Sequence, residues 1–360
     1  MDIIEPVNGP TTWLNPVVAG SRKNGKIRLC VDMRKANEAI IRERHVIPKL
    51  EDITAELHNA THFSKIDLRD GYHQIELDES SRNITTFATH KGLFRYKRLF
   101  YGVNSRFEAF QKQIEIVLSC LEGVKNISDD IVIWGRTQEE HDKRLFALLD
   151  RLRQNGLRVN LDKCIFDVPS IDFDGHILSA DGIRLDPTKK DAIDAIKEPK
   201  NVSEVRSLMG LMNYCLKFIP NYATLTEPIR RLTKKNAKFE WGNEQSEAFK
   251  TLKQKLLESP TLAFYNPHAE TKVVTDASPF GLGAVLLQKQ PNGDFLPVSY
   301  GSRSLSNVET RYSQTEREAL AVLWAAEHYH YYLYDRLFHI ETDHKPLLSL
   351  LTAKAKSQER

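Results

Sequence analysis

The spacing of apolar positions changes period along the first half of the chain and predicts strands alternating with helices. Short apolar runs at residues 27–33 and 63–68 favour strands. Two later segments repeat apolar residues at helical spacing, and a glycine follows each as the expected end of the helix. They comprise Phe107, Phe110, Ile114, Val117, Leu118 and Leu121 before Gly123, and Leu145, Leu148, Leu149 and Leu152 before Gly156.

Two hairpins are predicted between these elements. Residues 85–89 and 94–99 flank a turn at residues 89–92. Residues 124–127 and 131–134 are short β-rich runs, and only Ser128, Asp129 and Asp130 separate them. We therefore expect both aspartates to lie in a tight turn.

The second half begins with a mainly helical pattern over residues 186–260, where Asn201 or Ser203 can cap a helix. A strand at residues 271–275 is expected to turn at Gly281 and Gly283 and to pair with residues 284–287. A capping-box pattern at residues 313–316 opens a helix through Tyr331, and a strand at residues 338–342 follows. The whole pattern predicts two α+β units joined by a helical connector.

Composition is that of a folded enzyme rather than a disordered chain, with 360 residues, 41% hydrophobic and 28% charged. No apolar run is long enough to span a membrane and no signal peptide opens the chain, so an intracellular protein is expected, with cytoplasm or nucleus left open. Four isolated cysteines are expected to be reduced core residues: Cys30, Cys120, Cys164 and Cys215.

The net charge of +3 does not by itself indicate a nucleic-acid partner, but two segments of the chain are locally basic. Residues 21–45 hold eight Lys/Arg against three Asp/Glu, and residues 91–98 hold four basic residues and no acid. Either patch alone is as well explained as a solvated surface. Their position beside a group of carboxylates favours phosphate binding.

That group consists of Asp67, Asp129 and Asp130. Paired aspartates often only decorate turns. Here apolar strands flank the pair, and Asp67 ends another apolar strand, so the acids can meet if the strands pair. Oxygen-only ligands suit Mg²⁺, and two such ions would promote in-line phosphoryl transfer; Mn²⁺ is an alternative.

Residues near these acids supply candidate contacts for a nucleoside triphosphate. Lys23 and Arg28 lie in a basic, glycine-containing segment, and a guanidinium can grip phosphate oxygens with two bonds. Tyr72 follows Asp67 by one short turn, where its ring can abut the sugar. A plain core tyrosine is an equally good interpretation of Tyr72.

Taken in order, these segments resemble the polymerase of gypsy-type long-terminal-repeat retrotransposons. The matching stretches are IRLCVDMRKAN (27–37), FSKIDLRDGYHQIEL (63–77), TTFATHKGLFRYKRL (85–99) and NISDDIVI (126–133), with further matches at 139–152, 175–179, 182–183, 205–213 and 218–221. The likeness covers nearly the whole chain. It implies an α+β right-hand polymerase fold with fingers, palm, thumb and connection, followed by a truncated ribonuclease H-like α/β domain. The implied domains are the fingers and palm at residues 1–178, the mainly helical thumb and connection at 179–265, and the ribonuclease H-like domain at 266–360.

The resemblance implies a role for each matching residue. Asp67 and Asp129 would bind metal, with Asp130 beside them and the Leu68 carbonyl as a further ligand. Lys23 and Arg28 would contact the triphosphate, Tyr72 would exclude ribonucleotides, and Tyr101 and Gly102 would lie under the incoming nucleotide. Asp32 and Arg34 would lie near the template, and Gly175 and His176 near the primer. The implied partners are an RNA or DNA template, a DNA primer and deoxynucleoside triphosphates.

The final segment resembles the ribonuclease H domain of such elements, whose metal ligands match Asp276, Glu318 and Asp343. Asp276 and Asp343 each follow an apolar strand, and Glu318 lies in the first turns of a helix, so the three acids can hold two Mg²⁺ ions. Each acid taken alone would more often be a surface residue or a cap.

The resemblance also implies that a protease and an integrase would be encoded in the same polyprotein. The oligomeric state is not indicated.

Some positions depart from the family pattern. Ile127 replaces an aromatic residue before the aspartates, Arg106 and Phe107 replace Ala-Pro in the nucleotide pocket, and Asp174 replaces an apolar residue beside the primer loop. The chain also starts within the fingers and stops before the fourth ribonuclease H acid, so ribonuclease activity is expected to be weak or absent.

Two hypotheses follow. The first is an RNA-directed DNA polymerase with an associated ribonuclease H domain. The second is a decayed element that still binds nucleic acid but has lost catalysis. Retention of the three palm acids favours the first, and the departures favour the second. A stand-alone ribonuclease is excluded because the polymerase half is the more complete one.

Overall fold

The computed structural model describes residues 2–21 and 27–347, and its elements fall into two units, Met1–Ile53 with Asn59–Asp174, and Thr54–His58 with Gly175–Arg360. Strands of the first stretch are β1 (Ile4–Pro6), β2 (Val17–Ser21), β3 (Ile27–Val31), β4 (His62–Asp67), β5 (Phe87–Thr89), β6 (Gly92–Tyr96), β7 (Val124–Ile127), β8 (Asp130–Gly135), β9 (Ile165–Val168) and β10 (Ser170–Phe173). Its helices are α1 (Arg34–Ala39), α2 (Leu50–Thr54), α3 (Glu79–Arg82), α4 (Arg106–Leu118) and α5 (Gln138–Gln154).

A four-stranded antiparallel sheet in the order β7-β8-β4-β9 forms the centre of the first unit. Ile66 of β4 and Ile131 of β8 are fully buried in one cluster with Phe110 and Ile114 of α4 and Leu148 of α5. Burial of each such side chain stabilises the fold by roughly 1.5–3 kcal/mol. The apolar spacing that predicts the two long helices is therefore the spacing that covers this sheet.

Two smaller sheets complete the first unit. β1, β6 and β5 form one, and β2 pairs with β3 in the other. The predicted hairpin around residues 89–92 is confirmed, with Thr89 opposite Gly92. α4 ends at Leu118, short of the predicted Gly123, because Ser119 is extended and Cys120 takes a φ of 65°.

The second unit contains the strands β11 (His176–Ser179), β12 (Gly182–Leu185), β13 (Thr271–Ala277), β14 (Gly281–Lys289), β15 (Phe295–Ser304) and β16 (His339–Thr342). Its helices are α6 (Pro187–Asp194), α7 (Val202–Tyr214), α8 (Tyr222–Arg231), α9 (Asn243–Leu257), α10 (Gln314–His328) and α11 (His330–Leu333). The side chain of Asn201, rather than Ser203, caps α7 by accepting from the Glu204 amide at 3.0 Å.

A second four-stranded sheet has the order β15-β14-β13-β16, with β13 and β16 parallel. The fully buried residues Leu286 of β14 and Ala325 of α10 share a cluster with Tyr329. The predicted capping box is present, because Ser313 and Glu316 bond each other's backbone amides. α10 ends at His328 rather than Tyr331, and α11 follows separately.

The predicted turn at Gly281 and Gly283 is wrong, because both glycines lie within β14. A Cβ atom on Gly281 would lie 2.6 Å from the Cβ of Ala223, and one on Gly283 would lie 2.4 Å from Asn221 Oδ1. The glycines therefore allow the start of α8 to pack closely on the strand. Across the described ranges, every helix is too short or too polar to cross a membrane.

Candidate active sites

The pairing of β4 with β8 brings the three acids of the first unit together. Asp67 lies directly opposite Asp130, and the Leu68 amide donates to the Asp129 carbonyl at 3.1 Å. Asp129 is at the exposed tip of the turn, and Ser128 takes a φ of 57° there. Asp130 is the first residue of β8 rather than a turn residue, which corrects the expectation that both aspartates lie in the turn. Asp67 is buried.

Electrostatics at this cluster favour a bound cation. Burial raises the pKa of the Asp130 carboxyl, Lys65 opposes that rise, and the charges of Asp129 and Asp67 add to it. Lys163 Nζ lies 3.1 Å from Asp67 Oδ2, and this bond raises the pKa of the lysine. Within the described ranges no three His, Cys, Asp or Glu side chains already form a metal-ligating cluster. Crowded, oxygen-only donors nevertheless fit a hard divalent cation.

Gln111 of α4 holds the turn that carries Asp129. Its side chain is fully buried, and its Oε1 accepts from the Ser128 amide at 2.8 Å. Its Nε2 donates to the Asn126 carbonyl at 3.2 Å and to Glu115 Oε1 at 2.9 Å. Neither Gln111 nor Lys163 was anticipated from the sequence. A buried polar position within the apolar pattern of α4 is the signal that marks Gln111.

The predicted nucleotide residues Tyr72 and Tyr101 are in contact, with ring centroids 5.1 Å apart in an edge-on arrangement. Phe110 packs edge-on against Tyr72 at 5.3 Å, and the Arg106 guanidinium carbon lies 5.9 Å from the Tyr72 ring centre. Burial raises the pKa of Tyr72, and Arg106 counters that rise. Gly102 has a φ of 126°, a conformation that favours glycine.

The remaining predicted contacts of the first unit are only partly described. Lys23 lies outside the described residues, and of Arg28 only the backbone in β3 is described. Asp32 and Arg34 form an ion pair in which Arg34 Nη2 lies 2.6 Å from Asp32 Oδ2. Hydrogen bonds from Arg34 lower the pKa of Asp32 to about 2. Asp32 therefore carries its charge at neutral pH and orients the exposed guanidinium.

In the second unit, the predicted primer residues lie at the start of β11, with His176 as its first residue and Gly175 directly before it. Gly175 has a φ of 68°, and a Cβ there would collide with the Lys189 side chain. His176 is buried between the rings of Tyr214 and Phe218, and the Tyr214 hydroxyl lies 3.1 Å from His176 Nδ1. The imidazole thus packs inside the unit rather than on its surface.

The three acids of the second unit lie at one end of its sheet. Asp276 is in β13, and Asp343 follows the parallel strand β16, in which Thr342 lies opposite Thr275. Glu318 of α10 is buried, and its Oε1 accepts from Gln314 Nε2 at 2.6 Å. Its Oε2 is buried without a hydrogen-bond partner among the described residues.

The charge balance at Glu318 also favours a cation. Burial is the largest cause that raises the pKa of Glu318, the Gln314 bond lowers it, and the charges of Asp276 and Asp343 raise it further. An unpartnered buried carboxylate oxygen is costly unless something binds it. A divalent metal ion held by these oxygens would satisfy that atom and relieve the repulsion.

Asn221 supports this second group of acids and was not anticipated from the sequence. It precedes α8 with a φ of 52°, and its Nδ2 donates to Asp276 Oδ2 at 3.3 Å. Thr224 Oγ1 lies 2.7 Å from Ser278 Oγ, and the Ala223 amide donates to Ser302 Oγ at 2.9 Å. The start of α8 is therefore fixed against the strand ends that carry Asp276.

Comparison with known families assigns both regions. Residues 20–178 match the family of reverse transcriptases (RNA-dependent DNA polymerases), and residues 241–340 match the RNase H-like domain found in reverse transcriptase. The retrovirus-related Pol polyprotein from transposon 412 of Drosophila melanogaster is 35% identical over 97% of this chain. The Tf2-3 polyprotein of Schizosaccharomyces pombe is 30% identical over 96% of it. The chain spans 29% and 26% of those two relatives.

Solved structures with the same fold include those of a foamy viral protease-reverse transcriptase. One in complex with double-stranded DNA has a TM-score of 0.86 and 22% identity, and covers 96% of this chain and 61% of that chain. Another, in complex with an RNA/DNA hybrid, has a TM-score of 0.79 and 21% identity, and covers 94% of this chain and 46% of that chain. These likenesses support the right-hand polymerase fold followed by a ribonuclease H-like domain.

Proposed function

Because this chain belongs to the reverse transcriptase family of retrotransposon Pol polyproteins, we propose that it is an RNA-directed DNA polymerase that extends a primer 3′-hydroxyl. The observation that carries the proposal is the register of β4 and β8, which sets Asp67 against Asp130 beside the exposed Asp129. An associated ribonuclease H site at Asp276, Glu318 and Asp343 completes the proposed activity.

Asp67 and Asp129 would hold the metal ions in this proposal, with Asp130 adjacent and the Leu68 carbonyl as a further ligand. Bound Mg²⁺ supplies a lowered pKa at the primer hydroxyl and charge neutralisation at the departing pyrophosphate. Lys163 neutralises Asp67 when no metal is bound. Gln111 keeps Asp129 in place through the turn backbone, so the carboxylate does not have to reorganise during the reaction.

Nucleotide binding is proposed at the residues around Tyr72. The ring of Tyr72 is fixed by Tyr101 and Phe110, and a rigid ring suits the role of excluding a 2′-hydroxyl. Gly102 would lie under the nucleotide beside Tyr101. Lys23 and Arg28 would bind the triphosphate, because lysine and arginine both neutralise phosphate and arginine does so with two bonds.

Contacts to the nucleic acid are proposed at two places. Asp32 would orient Arg34 toward the template backbone, since their ion pair leaves the guanidinium exposed. Gly175 and the buried His176 would shape the loop that faces the primer. Recognition of an RNA or DNA template with a DNA primer would then rest on backbone shape rather than sequence.

Primer extension on a homopolymer RNA template tests the proposal. Asp129→Asn should reduce extension by at least 1,000-fold, on the order expected when a metal ligand is lost. Asp150→Asn, an exposed acid of α5, should leave it unchanged. Binding of the duplex without metal-dependent extension above the Asp129→Asn level would identify a decayed nucleic-acid-binding element instead.

A further inference from the structure

A cavity in the second unit belongs to neither acidic site. Its volume is about 440 Å³, and it is bounded by α7, α8 and residues 302–304 of β15. Small-molecule sites typically measure roughly 300–1,000 Å³. The cavity is therefore large enough for an ordered ligand of the size of pyrophosphate or of one nucleotide phosphate with its sugar.

The lining of the cavity is basic. It contains Arg206, Arg230 and Arg303, and none of its twelve described lining residues is acidic. Arg303 already pairs with Glu309, its Nη1 lying 2.8 Å from Glu309 Oε2. Arg206 and Arg230 have no ion pair within the described ranges. The cavity therefore offers two uncommitted guanidinium groups.

The partial burial of Arg230 makes this charge unusual. Burial lowers the pKa of its guanidinium, while Glu227 and Tyr222 counter that effect. The ion pair of Glu227 is formed with Arg231, whose Nε lies 3.1 Å from Glu227 Oε2. A half-buried arginine that forms no ion pair is costly unless an anion binds it.

Tyr222 provides an independent indication of a ligand. The residue is 5% exposed and lines the cavity, and its hydroxyl is buried with no hydrogen-bond partner in the described part of the chain. Buried hydroxyl groups are nearly always hydrogen-bonded. A ligand oxygen in the cavity would supply the missing partner.

We propose that this cavity is a phosphate-binding site formed by Arg206, Arg230 and the Tyr222 hydroxyl. Guanidinium groups bind phosphate oxygens with two parallel bonds, and the hydroxyl can donate a third. The phosphate would come either from a free pyrophosphate or from the backbone of a bound nucleic acid. The site requires neither polymerisation nor bound metal, so it stands apart from the proposed catalytic activity.

Adjacent arginines on α8 give a matched test. Arg230→Gln removes a cavity charge, and Arg231→Gln removes an equal charge that pairs with Glu227 and Glu244 outside the cavity. Binding is measured in metal-free buffer, with pyrophosphate by calorimetry and with a labelled RNA/DNA duplex by anisotropy at several salt concentrations. Arg230→Gln should weaken at least one ligand about tenfold, and Arg231→Gln less than twofold.

The ligand that responds identifies the source of the phosphate. A loss for pyrophosphate indicates a free anion, and a loss for the duplex with a shallower salt dependence indicates backbone phosphate. Arg206→Gln, on the exposed surface of α7, should reproduce the loss and cannot act by unfolding the core. Tyr222→Phe should weaken the same ligand without lowering the melting temperature, because the hydroxyl has no protein partner to lose. Equal affinities for the Arg230→Gln and Arg231→Gln proteins with both ligands would overturn the proposal.

Discussion

Single side chains outside the acidic groups determine how the acids are held. Asn221 donates to Asp276 from a different element, and Gln314 donates to Glu318 from one turn earlier in α10. Both contacts orient an oxygen that would otherwise be free to rotate. Residues of this kind support a metal site without ligating the metal.

Asn221→Gly should lower the rate of RNA cleavage in an RNA/DNA hybrid by at least about tenfold, because a hydrogen bond to a carboxylate contributes roughly 1.5–3 kcal/mol. Glycine also tolerates the φ of 52° at this position. Primer extension should stay within twofold. Single-turnover assays with excess enzyme resolve slow cleavage as well as fast. Asn236→Gly, an exposed asparagine with a φ of 66°, is the matched control, and equal cleavage by both variants would refute the role.

The charge of the Glu309 carboxylate should make the stability of the folded protein depend on pH. Bonds from Arg303 and Ser306 hold its pKa at about 2, against an ordinary value of 4.5. Since the folded pKa is the lower one, the stabilisation is present above pH 4.5 and is lost as the pH falls toward 2. Glu309→Gln should lower the melting temperature by about 2–4 °C at pH 7.

The same comparison at pH 3 should give a smaller difference between wild type and Glu309→Gln. Glu327→Gln, an exposed acid of α10, should melt like wild type at both values. A Glu309→Gln difference that is as large at pH 3 as at pH 7 would show that the ion pair is not its cause.

At the scale of elements, the β7–β8 turn depends on α4, the helix that precedes β7 in the chain. Gln111 of α4 accepts from the Ser128 amide and thereby fixes the backbone before Asp129. Gln111→Met keeps the size of the side chain but leaves that amide unpaired, at a cost of about 1–3 kcal/mol.

We expect Gln111→Met to reduce primer extension at least tenfold while circular dichroism shows a folded protein. Gln113→Met, two residues along on the exposed face of α4, is the control and should extend primers like wild type. Wild-type extension by Gln111→Met would mean that the turn holds its shape without the glutamine.

Elements with a regular apolar pattern were predictable, and those defined by distant contacts were not. α4 and α5 follow from their periodicity because each covers the central sheet. β15 was missed because Pro297 and Gly301 interrupt its pattern. The strand tolerates the proline because it lies at the edge of its sheet, where an amide on the open side needs no partner. Gly281 and Gly283 were wrongly predicted to form a turn. Glycine is required at these two positions because the start of α8, which is distant in sequence, packs closely against them.

At the scale of the whole molecule, the sequence predicted which acids belong together and could not predict what surrounds them. Asp67 ends β4, Asp130 begins β8 and Asp129 precedes Asp130 in the turn, so the proximity of the three acids follows from strand pairing. Lys163 reaches Asp67 across 96 residues of sequence, and its own neighbours carry no signal of that contact. A supporting residue such as Lys163 is therefore visible only once the chain is folded.

The two acidic groups lie in different units, so each activity should be removable without the other. The decisive measurement follows primer extension and RNA cleavage on one RNA/DNA hybrid for wild type, Asp129→Asn and Glu318→Gln. We predict that Asp129→Asn abolishes metal-dependent extension and leaves the cleavage rate unchanged. Glu318→Gln should abolish cleavage and leave extension unchanged. Extension by Asp129→Asn at the wild-type rate would contradict the assignment of the polymerase site.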